Sequence, residues 1–330
     1  MSVFPDIRRL PLDEKLIDGL VRSSRVRRIV ISLLSDGEVP FSSSKLPFAQ
    51  MSVYRDRPAQ ISALIEAAHR RGIAVYGYAD LVRWGAPGVV EGGVLTAHPE
   101  WCERVPGGGY GLLTQGRYVS LFHPEARRVL GDFFQEVYAR YPDLDGFVLS
   151  LRYPTEYLCG FSPASRQAMI RGVQIDPEDL LVGPNDFTQD ILTELARWRF
   201  ATAREFLKSV MVRAFDRPTR RIALAGDPEI YRSPLKTRSR SLNDWLSWTD
   251  LPGVKEVIFF PKAASASPKP QTFSYARTLL QKSGNAVTAT GAIRWTDSAK
   301  LTGTALTGYV PAGMDTLVEI SRPGDLIRLP

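Results

Sequence analysis

The sequence predicts a (β/α)8 barrel, and three observations carry that prediction. Apolar runs of strand length alternate with amphipathic helical segments. The long insertions follow strands, whereas the returns from helix to strand are short. No Gly-x-Gly-x-x-Gly follows any strand, which favours the barrel over an open, doubly wound nucleotide-binding sheet. With 330 residues, 44% of them hydrophobic and 23% charged, the chain is long enough for one such barrel and is read as a single domain over 1–330.

The elements follow in order. Residues 28–34, Arg-Ile-Val-Ile-Ser-Leu-Leu, form a β-branched apolar run of strand length. Residues 60–71 place Ile61, Leu64, Ile65 and Ala68 on one helical face, and 72–79 read as the next strand. Residues 123–141 repeat Val129, Phe133 and Val137 at helical spacing, and 145–151 are a third strand. A long helix is expected over 186–214, carrying Leu195, Trp198, Phe206 and Val210. Strands at 222–225 and 254–260, a helix over 272–282, and strands at 286–293 and 316–320 complete seven. The eighth is weak and falls either near Val3-Phe4 or over 306–310, which leaves room for an irregular or incomplete barrel. The segments 35–58, 80–122 and 152–185 are long loops at the strands' C-terminal ends, the functional face of a barrel. Residues 263–271, rich in Ser, Ala and Pro, read as a surface loop, and Gly107-Gly-Gly-Tyr-Gly111 as a flexible turn.

Composition excludes several function classes. Two cysteines, Cys102 and Cys159, are too few for a disulfide framework, and three histidines argue against a His-rich metal centre. No metal or cofactor is expected. No stretch has the roughly 20 apolar residues of a membrane span, and the N-terminus lacks the apolar core of a signal peptide, so the chain reads as cytoplasmic. Net charge is +7, with basic residues gathered at 22–28 and from 213 to 240, including Arg217, Arg220, Arg221, Arg232, Lys236 and Arg238. Such a surface admits nucleic acid as a partner, but charge alone reports on solubility more than on function.

Residues at the C-terminal ends of the strands point to the chemistry. Asp80 ends the second of these strands, with Trp84 shortly after it. Ser150, Arg152 and Tyr153 end the third. Asp227 and Glu229 follow the fourth, Lys262 the fifth, and Arg294 and Trp295 the sixth. Carboxylates suit acid/base work on glycosidic bonds, and aromatic rings stack on the apolar faces of sugars. Asp80, Asp227 and Glu229 are therefore the candidate catalytic groups. Trp84, Ser150, Arg152, Tyr153, Lys262, Arg294 and Trp295 are the candidate substrate contacts. Asp145 at a strand start and His69 on a helix read as structural. His98 and His123 precede prolines and read as local caps.

Three stretches resemble the glycoside-hydrolase-like 10 family of barrel proteins. They are Ala67-Ala-His-Arg-Arg-Gly-Ile-Ala-Val-Tyr76, the segment from His98-Pro-Glu-Trp101 to Phe122-His-Pro-Glu-Ala-Arg127, and Asp145-Gly-Phe-Val-Leu-Ser-Leu-Arg-Tyr-Pro154. Weaker similarity continues through 198–206 and 244–248, in the family's order. The resemblance implies a (β/α)8 fold and a carbohydrate substrate or ligand. The chain departs from the pattern where it matters most: Ser150 stands where the family has a carboxylate, and Val148 where it has a histidine. A serine hydroxyl is no general acid near neutral pH. Two readings therefore stand beside each other, a glycoside hydrolase using other carboxylates and a non-catalytic sugar-binding relative.

Overall fold

A computed structural model describes residues 1–5, 14–22, 26–55, 59–86, 93–109, 116–154, 159–179, 189–214, 221–260, 270–294 and 314–320. Its centre is a closed barrel of eight strands: β1 (Ser2–Pro5), β2 (Arg28–Leu34), β3 (Ala74–Asp80), β4 (Gly146–Ser150), β5 (Arg221–Gly226), β6 (Val254–Phe259), β7 (Thr288–Arg294) and β8 (Asp315–Ile320). Each strand pairs in parallel with the next, and β8 closes onto β1 through Ser2 opposite Leu317 and Val3 opposite Val318. This is the expected (β/α)8, TIM-type architecture. The Val3-Phe4 run supplies the missing strand, and the alternative at 306–310 lies outside the described residues.

Helices alternate with the strands: α1 (Glu14–Arg22), α2 (Gln60–His69), α3 (Pro124–Arg140), α4 (Pro163–Val173), α5 (Gln189–Ala214), α6 (Leu235–Ser241) and α7 (Pro270–Lys282). Three of these, α1, α4 and α6, go beyond the four helices expected from the sequence. The strand expected from residue 72 begins instead at Ala74, because Gly72 ends α2. With φ +67°, Gly72 donates its N–H to His69 O, and Ile73 donates to Ala68 O, which closes a Schellman turn. Ser162 caps α4 by accepting from Ser165 N, with Pro163 in the first turn.

The pleat sorts side chains into two cores. Residues facing outward along the strands, such as Ile29, Ile31, Val75, Phe147 and Leu224, join the apolar faces of the helices in one continuous shell. Residues facing inward fill the lumen: Val30, Tyr76, Val148, Ala223, Ala225, Ile258, Phe260, Ala292 and Leu317. Small Ala223 and Ala225 sit beside large Tyr76 and Phe260, so the layers interdigitate. At the N-terminal end the lumen is closed by polar groups. Arg28 on β2 forks onto Glu256 on β6, with Nη2 2.8 Å from Oε1 and Nη1 on Oε2. Arg28 Nε donates to Ser2 Oγ at 3.0 Å, Thr290 donates to Glu256, and the guanidinium lies 5.0 Å from the Tyr76 ring centroid. Below the barrel Asp145 Oδ2 accepts from Val75 N at 2.7 Å and pairs with His69 Nε2 at 2.9 Å. These are the structural roles expected of both residues.

The loops after β2 and β3 interlock. Asp36 and Gly37, at φ 56° and 77°, form a two-residue turn between Ser35 and Glu38. Short strands at Glu38–Val39 and Ala49–Gln50 pair with each other, and Arg83–Gly85 pairs with Arg117–Tyr118. Gly37 lies against the Trp84 carbonyl with no room for a Cβ. Gly107 and Gly108 adopt positive φ in the expected turn.

The Arg28–Glu256 pair is nearly enclosed, so removing one partner strands a buried charge. Arg28→Ala or Glu256→Ala is expected to lower unfolding free energy by about 3–5 kcal/mol in a urea titration. The double variant Arg28→Met/Glu256→Leu is expected to recover much of that loss.

Candidate functional site

Alternation carries four strand ends into the mouth at the C-terminal face. Tyr78 and Asp80 of β3, Ser150 of β4 and Phe260 after β6 share the inward parity, and Asp80 is in register with Ser150. Phe4 of β1 completes the wall. Its ring lies 5.2 Å from that of Tyr78, which is 6.3 Å from that of Phe260. Phe4 and Tyr78 are half-buried and Phe260 is buried, and all three pack with the residues that fill the lumen. Ser150 is buried and hydrogen-bonded to the Tyr78 side chain. Burial, with the neighbouring Asp80 adding to it, pushes the Tyr78 hydroxyl up to about 12.

Asp80 is a buried carboxyl held on one side. Its Oδ1 accepts from the backbone N–H of Val82 at 3.2 Å and of Arg83 at 3.0 Å. Arg83 Nε is 4.0 Å from Asp80 Oδ2 and 2.7 Å from Asp36 Oδ1, so one guanidinium ties the β2 turn to the end of β3. Burial raises the Asp80 pKa above the ordinary carboxylate range, against the opposing pull of Arg83 and the two amides.

Asp227 follows β5. It is buried, and its Oδ1 accepts from Glu229 N at 2.9 Å in an Asx turn. Asn243 fixes the same corner: its Oδ1 accepts from Asp227 N at 2.7 Å, and its Nδ2 donates to Ala225 O at 3.2 Å. Trp245 Nε1 donates to Asp227 O at 3.0 Å. Arg152, after β4, is half-buried. Its Nη1 donates to Phe260 O at 3.2 Å, and its guanidinium carbon lies 5.6 Å from the Phe260 ring centroid.

Several expected site residues stand elsewhere. Trp84 is corrected from a sugar platform to a core anchor. It is fully enclosed, with Phe48 edge-on at 4.9 Å and Trp101 at 6.4 Å, because the β3 loop folds back under the β2 loop. Tyr153 is likewise a strut: it is buried beside Tyr118, and its hydroxyl donates to Val119 O. Glu229 is exposed and reaches outward to the helix layer, accepting from Thr272 Oγ1 on α7 at 3.2 Å. Arg294 ends β7 in register with Glu319. Lys262 and Trp295 lie outside the described residues. In the basic stretch, Arg232 stacks on Tyr275, and Arg238 lies over Tyr231 and Phe200. Arg217 and Arg220 lie outside the described residues. His98 stacks on Trp101 at 4.0 Å and approaches Glu100.

Sequence reading missed Tyr78, Phe4, Phe260, Asp36, Arg83 and Asn243. Parity was the available signal for Tyr78 and Phe260: two residues before Asp80 and two before Lys262 are the next positions on the same face. Among the described residues no group of His, Cys, Asp and Glu is arranged to hold a metal ion, and no helix is long and apolar enough to cross a membrane.

No protein-family model matches the sequence, and no curated protein matches it. Solved structures do resemble it. The glycoside hydrolase domain of PgaB (BpsB) from Bordetella bronchiseptica superposes with a TM-score of 0.62 at 14% identity, covering 99% of this chain and 94% of that one. The GH36 α-galactosidase AgaA from Geobacillus stearothermophilus gives 0.53 at 11% identity, covering 100% of this chain and 39% of that one. Amy13B from Eubacterium rectale gives 0.50 at 10% identity, covering 96% and 64%. At these identities the likeness is one of fold: the chain has the barrel architecture that these glycoside hydrolases share.

Asp80 yields a pH prediction. A carboxyl whose folded pKa is raised contributes stability below its unfolded value near 3.9, and that contribution is lost as pH rises through the folded pKa. Asp80→Asn keeps a neutral group at the site at every pH. The stability of this variant relative to the native protein is therefore expected to increase from pH 4 to pH 7 in a series of urea titrations.

Proposed function

We propose that the mouth of this barrel binds carbohydrate and that the protein is a glycoside hydrolase, a divergent relative of the glycoside-hydrolase-like 10 family in one barrel domain. The observation that carries this reading is Asp80, a carboxyl at the end of β3 beside a partly buried aromatic wall, with burial raising its pKa. A raised carboxyl pKa is what a general acid needs in order to hold a proton for the leaving-group oxygen. The wall of Phe4, Tyr78 and Phe260 offers apolar faces to a pyranose ring.

The second carboxyl in this reading is Asp227. It follows β5, two strands from β3, and two strand spacings of about 4.8 Å place the main chains roughly 10 Å apart. Inward-directed side chains converge from that separation, toward the range of about 6.5–9.5 Å used by inverting enzymes. Asp80 would donate the proton to the glycosidic oxygen, and Asp227 would accept one from the attacking water on the opposite face of the sugar. Ser150 lies between them on β4 and, as a partner of Tyr78, positions rather than reacts.

A binding-only role is the second reading. It is favoured by Ser150 at the family's carboxylate position and by the hold of Arg83 and two amides on Asp80. A cleavage screen by mass spectrometry over bacterial and plant polysaccharides separates the two. The hydrolase reading predicts products that fall by at least about 100-fold in Asp80→Asn and in Asp227→Asn, and proton NMR of the first-formed sugar showing an inverted anomer. Products that persist in both variants would refute these roles. Binding without cleavage across the screen would favour the second reading.

A further inference from the structure

We propose that the mouth selects a carboxylate-bearing saccharide, a glycan containing uronic acid, and that Arg152 is the residue that reads the carboxylate. This deepens, and rests on, the reading of the mouth as a sugar site. Four half-buried arginines are matched to acids: Arg28 with Glu256, Arg83 with Asp36, Arg166 with Asp176 and Arg204 with Asp250, whereas Arg127, like Arg152, meets a carbonyl and a ring but stands on α3 away from the mouth. Among the described residues no carboxylate pairs with Arg152. Its fixed contacts are the Phe260 carbonyl and the Phe260 ring, which hold the guanidinium in place through one of its five N–H donors.

The carboxylates at this end of the barrel are engaged by groups other than Arg152. Asp80, in register with Ser150 across β3 and β4, is taken up by the Val82 and Arg83 amides and by the Arg83 guanidinium. Asp36 is engaged by Arg83. Tyr78, which feels both Asp80 and Arg152, is neutral at physiological pH. A partly desolvated cation with free donors is satisfied by an anion, and the planar fork of a guanidinium matches the two oxygens of a carboxylate. The aromatic wall beside it supplies the surface on which the same sugar ring would stack. Arg152 is thus a binding and specificity residue, distinct from the carboxyls assigned to proton transfer.

The test uses oligosaccharide pairs that differ only in charge: uronic-acid oligomers and their carboxyl-reduced counterparts, with sulfated oligosaccharides as a third arm. Binding is measured by calorimetry on the intact chain. The acidic member of a pair is expected to bind about 10- to 100-fold more tightly than its reduced counterpart. That ratio is expected to fall towards one in Arg152→Gln, and to an intermediate value in Arg152→Lys, with cooperative thermal unfolding as the folding control. Equal affinity within the pairs, or a preference that survives in folded Arg152→Gln, would overturn the assignment while leaving the sugar site standing. A preference for sulfated over uronic oligomers would overturn the carboxylate. Failure of every neutral and acidic oligomer to bind would overturn the sugar site and this inference together.

Discussion

The rest of the structure depends on closure of the sheet. When β8 pairs with β1, the inner face of eight strands becomes a lumen with no edge, and every second residue must fit inside it. That constraint explains the small Ala223 and Ala225 in the same lumen cluster as the large Tyr76 and Phe260. It also explains why a charged pair can sit within the N-terminal end. Arg28 and Glu256 come from strands on different sides of the lumen, satisfy each other twice, and take up Ser2 and Thr290 as further partners. A half-satisfied network there would cost more than an apolar filling, so the four residues act as one unit.

The same alternation decides what the opposite end can do. At the mouth the inward positions carry Phe4, Tyr78, Asp80, Ser150 and Phe260. They are held by loops that pack against one another, not by the strands alone. The Asp36-Gly37 turn sets the acid that grips Arg83, and Arg83 in turn steadies Asp80. Gly37 can approach the Trp84 carbonyl because it lacks a Cβ, and Trp84 is locked between Phe48 and Trp101. A second layer stands behind the β4 loop: Glu103, buried, accepts from Ser162 N at 3.0 Å and from Ser165 Oγ at 2.6 Å. The mouth is therefore a small polar and aromatic surface braced by its loops.

Much of the barrel was legible in the sequence because its signal is periodic. Continuous apolar runs fixed β2 and β4 to within a residue or two, and the four long helices showed their faces plainly. The first strand was faint because four residues ending in proline carry little pattern, and one of its two partners lies more than 300 residues away. The site was less legible. Asp80, Asp227 and Arg152 could be placed from strand ends, but Trp84 and Tyr153 could not be sorted from them. Aromatic residues just beyond a strand look the same in sequence whether they face the mouth or fold back under the next loop. Burial settled both, with Tyr153 donating to the Val119 carbonyl. Asn243 carried no signal at all, since it reaches Ala225 and Asp227 only through tertiary contact.

The central claim is that ligand is taken at the wall of Phe4 and Tyr78, above the end of β3. Tyrosine-selective carbon labelling tests it directly, with Tyr78→Phe to assign the Tyr78 ring and a bound oligosaccharide added in steps. The account predicts saturable shifts of the Tyr78 ring signals, while those of enclosed Tyr54 and Tyr153 stay in place. Shifts confined to other tyrosines, with Tyr78 unmoved at saturating ligand, would contradict it.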